Sequence, residues 1–223
     1  LELDMRLRGE LSASVVLATY KEITRLDPTV HWDWVELTRL YVQTGNLHGA
    51  LNSAQQALRT AGTERERSTA FNELGEVQVA QGDLSAALTS YQAGLNISKT
   101  LADRDPGSTS WQRDLSGSFL RVGNVQVAQG DLSAALANYK AGLALAKILA
   151  DRDPRNVGWQ RDLSVSLGKV GEVQAAQGNL SAALVSYKGA RDISETLVGR
   201  DPGNTNWQRD LYVSFVRVGN VQI

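Results

Sequence analysis

The chain has 223 residues, with 23 lysines and arginines against 24 aspartates and glutamates, a net charge of −1, and no cysteine. That balance gives no counterion-release drive toward nucleic acid, and zero cysteines exclude a disulfide scaffold, a thiolate metal site and a cysteine nucleophile. With 42% apolar and 21% charged residues the chain can bury a core, while no apolar run reaches the roughly 18–20 residues of a membrane span. Leu1 at the start and Val221-Gln222-Ile223 at the end read as the edges of an excised segment.

In chain order, residues 1–30 carry Tyr20 and Ile23 ahead of Pro28, and residues 31–67 form one unit of near-normal length. From residue 68 the pattern has a period of 48. Trp111, Trp159 and Trp207 each open Trp-Gln-Arg-Asp-Leu, and Gly75, Gly123, Gly171 and Gly219 keep the same spacing. Aligning 111–158 with 159–206 gives 26 identities in 48 positions. The extended units are 68–115, 116–163 and 164–211, with 212–223 a truncated final helix. A self-similar period of this length signals a repeat architecture.

Punctuation divides each unit. All four prolines (Pro28, Pro106, Pro154, Pro202) share one phase, and proline separates helices because it lacks an N–H and pushes its predecessor out of the α region. The second break is Gly45-Asn46, Gly82-Asp83, Gly130-Asp131 and Gly178-Asn179. Glycine suits the left-handed position just past a helix, and Asp or Asn caps the next one. Between the breaks, Trp111, Leu115, Phe119 and Val122 recur on one helical face, as do Leu132, Ala135, Leu136, Tyr139, Leu143 and Ala146. The pattern predicts an all-α chain of about eleven helices in repeated hairpins.

These units resemble the tetratricopeptide repeat (TPR). The matching positions are Trp34, Leu37, Tyr41, Gly45, Ala50 and Ala57; then Phe71, Leu74, Gly75, Gly82, Ala87, Tyr91 and Gly94. They continue as Phe119, Val122, Gly123, Gly130, Ala135, Tyr139 and Gly142, and as Leu167, Val170, Gly171, Gly178, Ala183, Tyr187 and Ala190. Tyr20, Ile23 and Pro28 look like the tail of a degenerate partial repeat over 1–30. The resemblance implies a single right-handed α-solenoid over 1–223. Two departures stand out. The period exceeds the family's 34 residues by 14, about two turns per helix. Glutamine (Gln78, Gln126, Gln174, Gln222) also replaces the tyrosine seen at Tyr41; buried, it needs hydrogen-bond partners. Glycine inside a helix costs about 1 kcal/mol relative to alanine, so Gly75, Gly123 and Gly171 mark a close approach, with Ala87, Ala135 and Ala183 expected opposite them.

The catalytic inventory is thin. His31 and His48 are the only histidines and form no ligand pair, so they read as capping or surface residues. No P-loop or Gly-x-Ser-x-Gly elbow is present. Asn96 and Asn179 match the glycosylation sequon, but one lies inside a predicted helix and the other caps one, so both read as chance matches. The five tryptophans read as core fillers. The expectation is a chain with no enzymatic activity, no cofactor and no metal.

The resemblance implies that first helices line a concave groove that receives a partner segment. Opposite the apolar stripe these helices carry Arg113, Arg121 and Asn124; Arg161, Lys169 and Glu172; and Arg209, Arg217 and Asn220. Basic residues thus recur at two heights, suited to an extended acidic peptide held by charge-assisted contacts. A second reading stands beside this one for the upper row: a ladder in which Asp114, Asp162 and Asp210 neutralise the neighbouring unit's arginine. The expected function is a cytoplasmic protein–protein interaction scaffold binding a protein or peptide, with no nucleic acid or membrane partner. The alternatives are self-association through the exposed C-terminal helix (Trp207, Leu211, Phe215, Val218) and a sensor or regulatory arm of a larger signalling protein.

Overall fold

The computed structural model describes residues 12–222; Leu1–Leu11, the first part of the expected partial repeat over 1–30, and Ile223 lie outside the described residues. Among these, ten α-helices and no strand are found: α1 (Ala13–Leu26), α2 (His31–Gln43), α3 (Leu47–Thr60), α4 (Glu64–Ala80), α5 (Leu84–Arg104), α6 (Thr109–Ala128), α7 (Leu132–Arg152), α8 (Val157–Ala176), α9 (Leu180–Arg200) and α10 (Thr205–Gln222). The fold class is the all-α solenoid of helix–turn–helix units, with ten described helices where the spacing predicts about eleven. The chain divides into two compact units between Asp103 and Arg104.

The hairpin joints form as the sequence dictates. Gly45, Gly82, Gly130 and Gly178 adopt φ of +75°, +81°, +83° and +79°, where a side chain is strained. The following residue's N–H closes the helix end, with Asp131 donating to the Gln126 carbonyl at 2.8 Å and Asn46 to Tyr41 at 2.9 Å. Asn46, Asp83 and Asp131 then accept from the backbone N–H three residues on, at 2.9, 2.9 and 3.0 Å. Asn179 makes no such cap bond. At the other joint, Ser108, Asn156 and Asn204 accept from the N–H of Trp111, Trp159 and Trp207, which fixes the register of the tryptophan-bearing helices. In the second unit Arg152 and Arg200 donate to the Gly107 and Arg155 carbonyls at 3.2 Å, tying successive proline turns together.

The lengthened period is shared between the two helices of a hairpin. Helices α2 and α3 have 13 and 14 residues, whereas α6 and α7 have 20 and 21, as do α8 and α9. The joints keep their length, so two turns are added to each helix.

Packing uses the small residues in two distinct ways. Gly75, Gly123 and Gly171 face the rings of Tyr91, Tyr139 and Tyr187 in the second helix of the same hairpin; a Cβ there would lie 2.6, 2.5 and 2.6 Å from the ring. The alanines face elsewhere. Ala135 and Tyr139 on α7 pack against Val170 and Val173 of α8 in the next hairpin, as Ala183 and Tyr187 on α9 pack against Val218 of α10. In the first unit Ala50 and Ala54 meet Val77, and Val35 and Ala57 meet Ala70. Small-opposite-small packing is therefore replaced by ring-over-glycine within hairpins and alanine-against-valine between them. Each large apolar side chain buried this way contributes about 1.5–3 kcal/mol.

Buried polar groups are threaded through this core. Ser68, Ser116 and Ser164 on first helices donate to the carbonyls of Gly94, Gly142 and Ala190 at 3.1, 2.9 and 2.9 Å. His31 occupies the corresponding place in the shorter hairpin. It is buried, not surface-facing as expected, and its Nδ1 lies 2.8 Å from the Ala57 carbonyl. His48 is exposed. Gln78, Gln126 and Gln174 accept from Ser90, Asn138 and Ser186 at 2.7, 2.8 and 2.8 Å, so these glutamines bind their own hairpin's second helix. Trp34, Trp111, Trp159 and Trp207 are half-buried, while Trp32 is 46% exposed. Helix α10 leaves Tyr212, Phe215 and Val216 exposed, and nothing lies within 4 Å of a Cβ built on Gly219.

Candidate functional site

In the second unit the first helices α6, α8 and α10 share one polar face. At its upper level Arg113 on α6 donates to Asp162 on α8 at 2.5 Å, and Arg161 on α8 to Asp210 on α10 at 2.8 Å. Arginine of one hairpin thus meets aspartate of the next. These pairs are partly open to solvent, with side-chain exposures of 52% and 34% for the first and 44% and 25% for the second, so each contributes less than about 1 kcal/mol. Their chief effect is to fix the spacing of the three helices. Arg209 stands in the same row, exposed and in no ion pair among the described residues.

The lower level is built around a carboxylate. Glu172 on α8 accepts from Lys169 at 3.1 Å and from Arg217 on α10. The Arg217 guanidinium carbon also lies 6.0 Å from the centre of the Tyr187 ring, a cation–π distance. Arg217 reaches Glu172 by crossing Gly168, where a Cβ would sit 2.7 Å from its Nη1. Burial, assisted by the charge of Glu172, pushes the Tyr139 hydroxyl up to about 12. Tyr187 is raised by burial and Glu172, with Arg217 opposing. On α6 the arrangement differs: Asn124 accepts from the Tyr139 hydroxyl at 2.7 Å, and Arg121, half-buried, has no ion pair among the described residues. Asn220 is exposed.

The nine residues singled out from the sequence therefore lie on three helices joined by ion pairs, but they are not equivalent. Arg113, Arg161, Lys169, Glu172 and Arg217 are engaged with one another or with the ladder aspartates, Asn124 supports a buried tyrosine, and Arg121 and Arg209 keep their charge unanswered. Six cations on this face stand with four carboxylates, Asp114, Asp162, Asp210 and Glu172. Leu120, next to Arg121 on α6, packs against the Ala135–Tyr139–Val170–Val173 cluster. The central place of Glu172 was hidden because its partner Arg217 lies 45 residues away, and only Gly168 among the matched Leu120, Gly168 and Val216 positions opens the path.

The first unit repeats the bridging in a different sign. Arg39 on α2 donates to Glu73 on α4 at 2.6 Å and to Glu36 on its own helix at 2.6 Å. A cleft of about 230 Å³ beside Trp34, Tyr41, Gly49 and Asn52 falls below the roughly 300–1,000 Å³ of small-molecule sites. Among the described residues no three His, Asp or Glu side chains gather as metal ligands, and no helix is long and apolar enough to cross a membrane.

Residues 36–109 match the family model described as tetratricopeptide repeat. No curated protein matches the chain. Among solved structures, BtubC from P. vanneervenii superposes with a TM-score of 0.69 at 14% identity, covering 94% of this chain and 80% of that one. MamA gives 0.59 at 16% identity, with 86% and 94% covered. YrrB, described as a TPR protein with an unusual peptide-binding site, gives 0.51 at 20% identity, with 92% and 85% covered. At these identities the likeness is one of fold. The segment 36–109 thus carries tetratricopeptide repeats, and the same glycine joints and alanine and tyrosine positions continue to Tyr187 in hairpins lengthened beyond the usual unit, within a fold similar to these structures.

Proposed function

We propose that the second unit is a non-catalytic protein-interaction module whose α6–α8–α10 face receives an extended, acidic segment of a partner protein. The observation that carries this reading is the cationic excess on a face fixed by inter-helix ion pairs, with Arg121 and Arg209 unanswered among the described residues. A pre-spaced set of cations loses little order when it binds, and each charge-assisted hydrogen bond to a carboxylate is stronger than a neutral one. Likeness to YrrB, described as having a peptide-binding site, supports the class of partner. The chemistry on the face is recognition alone, since no side chain there pairs a nucleophile with a base.

The test is fluorescence anisotropy of a fluorescein-labelled Glu-Ala repeat peptide titrated with the chain at low ionic strength, with a Lys-Ala peptide as control. Saturable binding of the acidic peptide alone is expected, weakening as salt is raised. Changing Arg121→Glu, Lys169→Glu and Arg217→Glu together abolishes it while the helical circular dichroism is retained. Unchanged affinity in that triple variant would contradict the proposal.

A further inference from the structure

The lower level of the face contains its own carboxylate, which the two flanking first helices of this unit lack, although Glu76 stands in the same column of the first unit. At the positions 48 residues before and after Glu172 stand Asn124 and Asn220, neither of which carries charge. Glu172 is held from two helices, by Lys169 of α8 and Arg217 of α10, all three side chains being about one-third exposed. Arg217 is further placed by the Tyr187 ring and by the gap at Gly168. This is the set of contacts that a carboxylate arriving from solvent needs: an ammonium, a guanidinium, partial burial to limit screening, and an aromatic face to fix the guanidinium plane.

We propose that Glu172 is an internal stand-in for the partner's carboxylate, occupying the Lys169–Arg217 site until an acidic segment displaces it. The proposal rests on the reading of this face as an acidic-peptide site and adds a residue that sets its threshold. A ligand with a single carboxylate gains only the unpaired Arg121 or Arg209 and must compete with a tethered rival for the centre. A ligand that already engages those outer cations presents its next carboxylate at high effective concentration and can take the site. Glu172 thereby selects for segments carrying several spaced acids.

The experiment uses the same labelled Glu-Ala peptide with the full chain carrying Glu172→Gln, which keeps the side chain's shape and removes its charge. A partly exposed ion pair is worth up to about 1 kcal/mol, so its removal is expected to tighten binding by roughly fivefold. Adding Lys169→Gln and Arg217→Gln to that variant removes the gain, whereas the same pair of changes in the native chain moves the affinity far less. A peptide with one glutamate among alanines shows the larger relative gain from Glu172→Gln, because it lacks the extra acids that displace Glu172 unaided. Equal or weaker binding by Glu172→Gln, while Arg121→Glu still weakens both forms, overturns the stand-in role and leaves the groove reading in place. A gain that survives loss of Lys169 and Arg217 charge also overturns it. Absence of saturable binding in both the native and Glu172→Gln chains overturns both readings.

Discussion

One substitution made at two positions of the same column tests the packing with opposite signs. Gly123 lies in the middle of α6 under Tyr139, and an added Cβ would meet the ring at 2.5 and 2.6 Å, about 1 Å closer than van der Waals contact allows. The ring has nowhere to go: Tyr139 is 1% exposed, packed with Ala135, Val170 and Val173, and tied by its hydroxyl to Asn124. Overpacking of this kind costs about 1–3 kcal/mol, against the ~1 kcal/mol that alanine gains over glycine in a helix. With the ring held on every side the upper part of that range applies, so Gly123→Ala is expected to destabilise the second unit by up to about 2 kcal/mol. Gly219 is the matching residue of α10, and nothing lies within 4 Å of its added Cβ, so Gly219→Ala gains helix propensity without a clash and stabilises by a few tenths up to about 1 kcal/mol. Urea unfolding followed by circular dichroism at 222 nm reads both. If Gly123→Ala proves as stable as the native chain, the ring-over-glycine account is wrong.

Three further outcomes follow from named contacts. Ser116→Ala removes the bond to the Gly142 carbonyl, and with alanine's propensity offsetting part of the loss the urea midpoint should fall by the equivalent of about 0.5–1 kcal/mol. Thr63→Ala breaks a capping box with Glu66 at the start of α4, costing about 1 kcal/mol by the same assay. Tyr139 is raised to about 12 from an unfolded value near 10; its protonated form is favoured in the fold, so its contribution is intact below pH about 10 and is lost as pH climbs toward 12. Tyrosinate absorbance at 295 nm at pH about 11, compared before and after unfolding, should therefore show a step that shrinks by one residue in Tyr139→Phe.

Much of the fold was legible because its signals are local. The Gly-Asn/Asp joints, the proline phase and the tryptophan-led stripes each act within a few residues, and the helices begin and end where they say. The two extra turns per helix followed from the 48-residue period alone. What could not be read depended on which neighbour a face meets. Alanine and glycine columns both announce close approach, but only three dimensions show the glycine under its own hairpin's tyrosine and the alanine against the next hairpin's valine. His31 looked like a stray polar residue because its equivalence to Ser68, Ser116 and Ser164 is one of hydrogen-bond register, not residue type. On the polar face the arginine–aspartate ladder was one of two readings the spacing allowed, and the contacts of Arg113 and Arg161 are those of the ladder. Glu172 was among the candidates read from the sequence, but its pairing was not legible, since that depends on an arginine one hairpin later passing over a glycine.

The most direct measurement of where a partner sits is photo-crosslinking. A Glu-Ala repeat peptide carrying one benzophenone residue is bound to the native chain, irradiated, and the adducts are located by mass spectrometry. The account predicts adducts on α6, α8 and α10 around Arg121, Lys169 and Arg217, suppressed by excess unlabelled acidic peptide. Adducts concentrated on α7 and α9, or unaffected by that competitor, would contradict it.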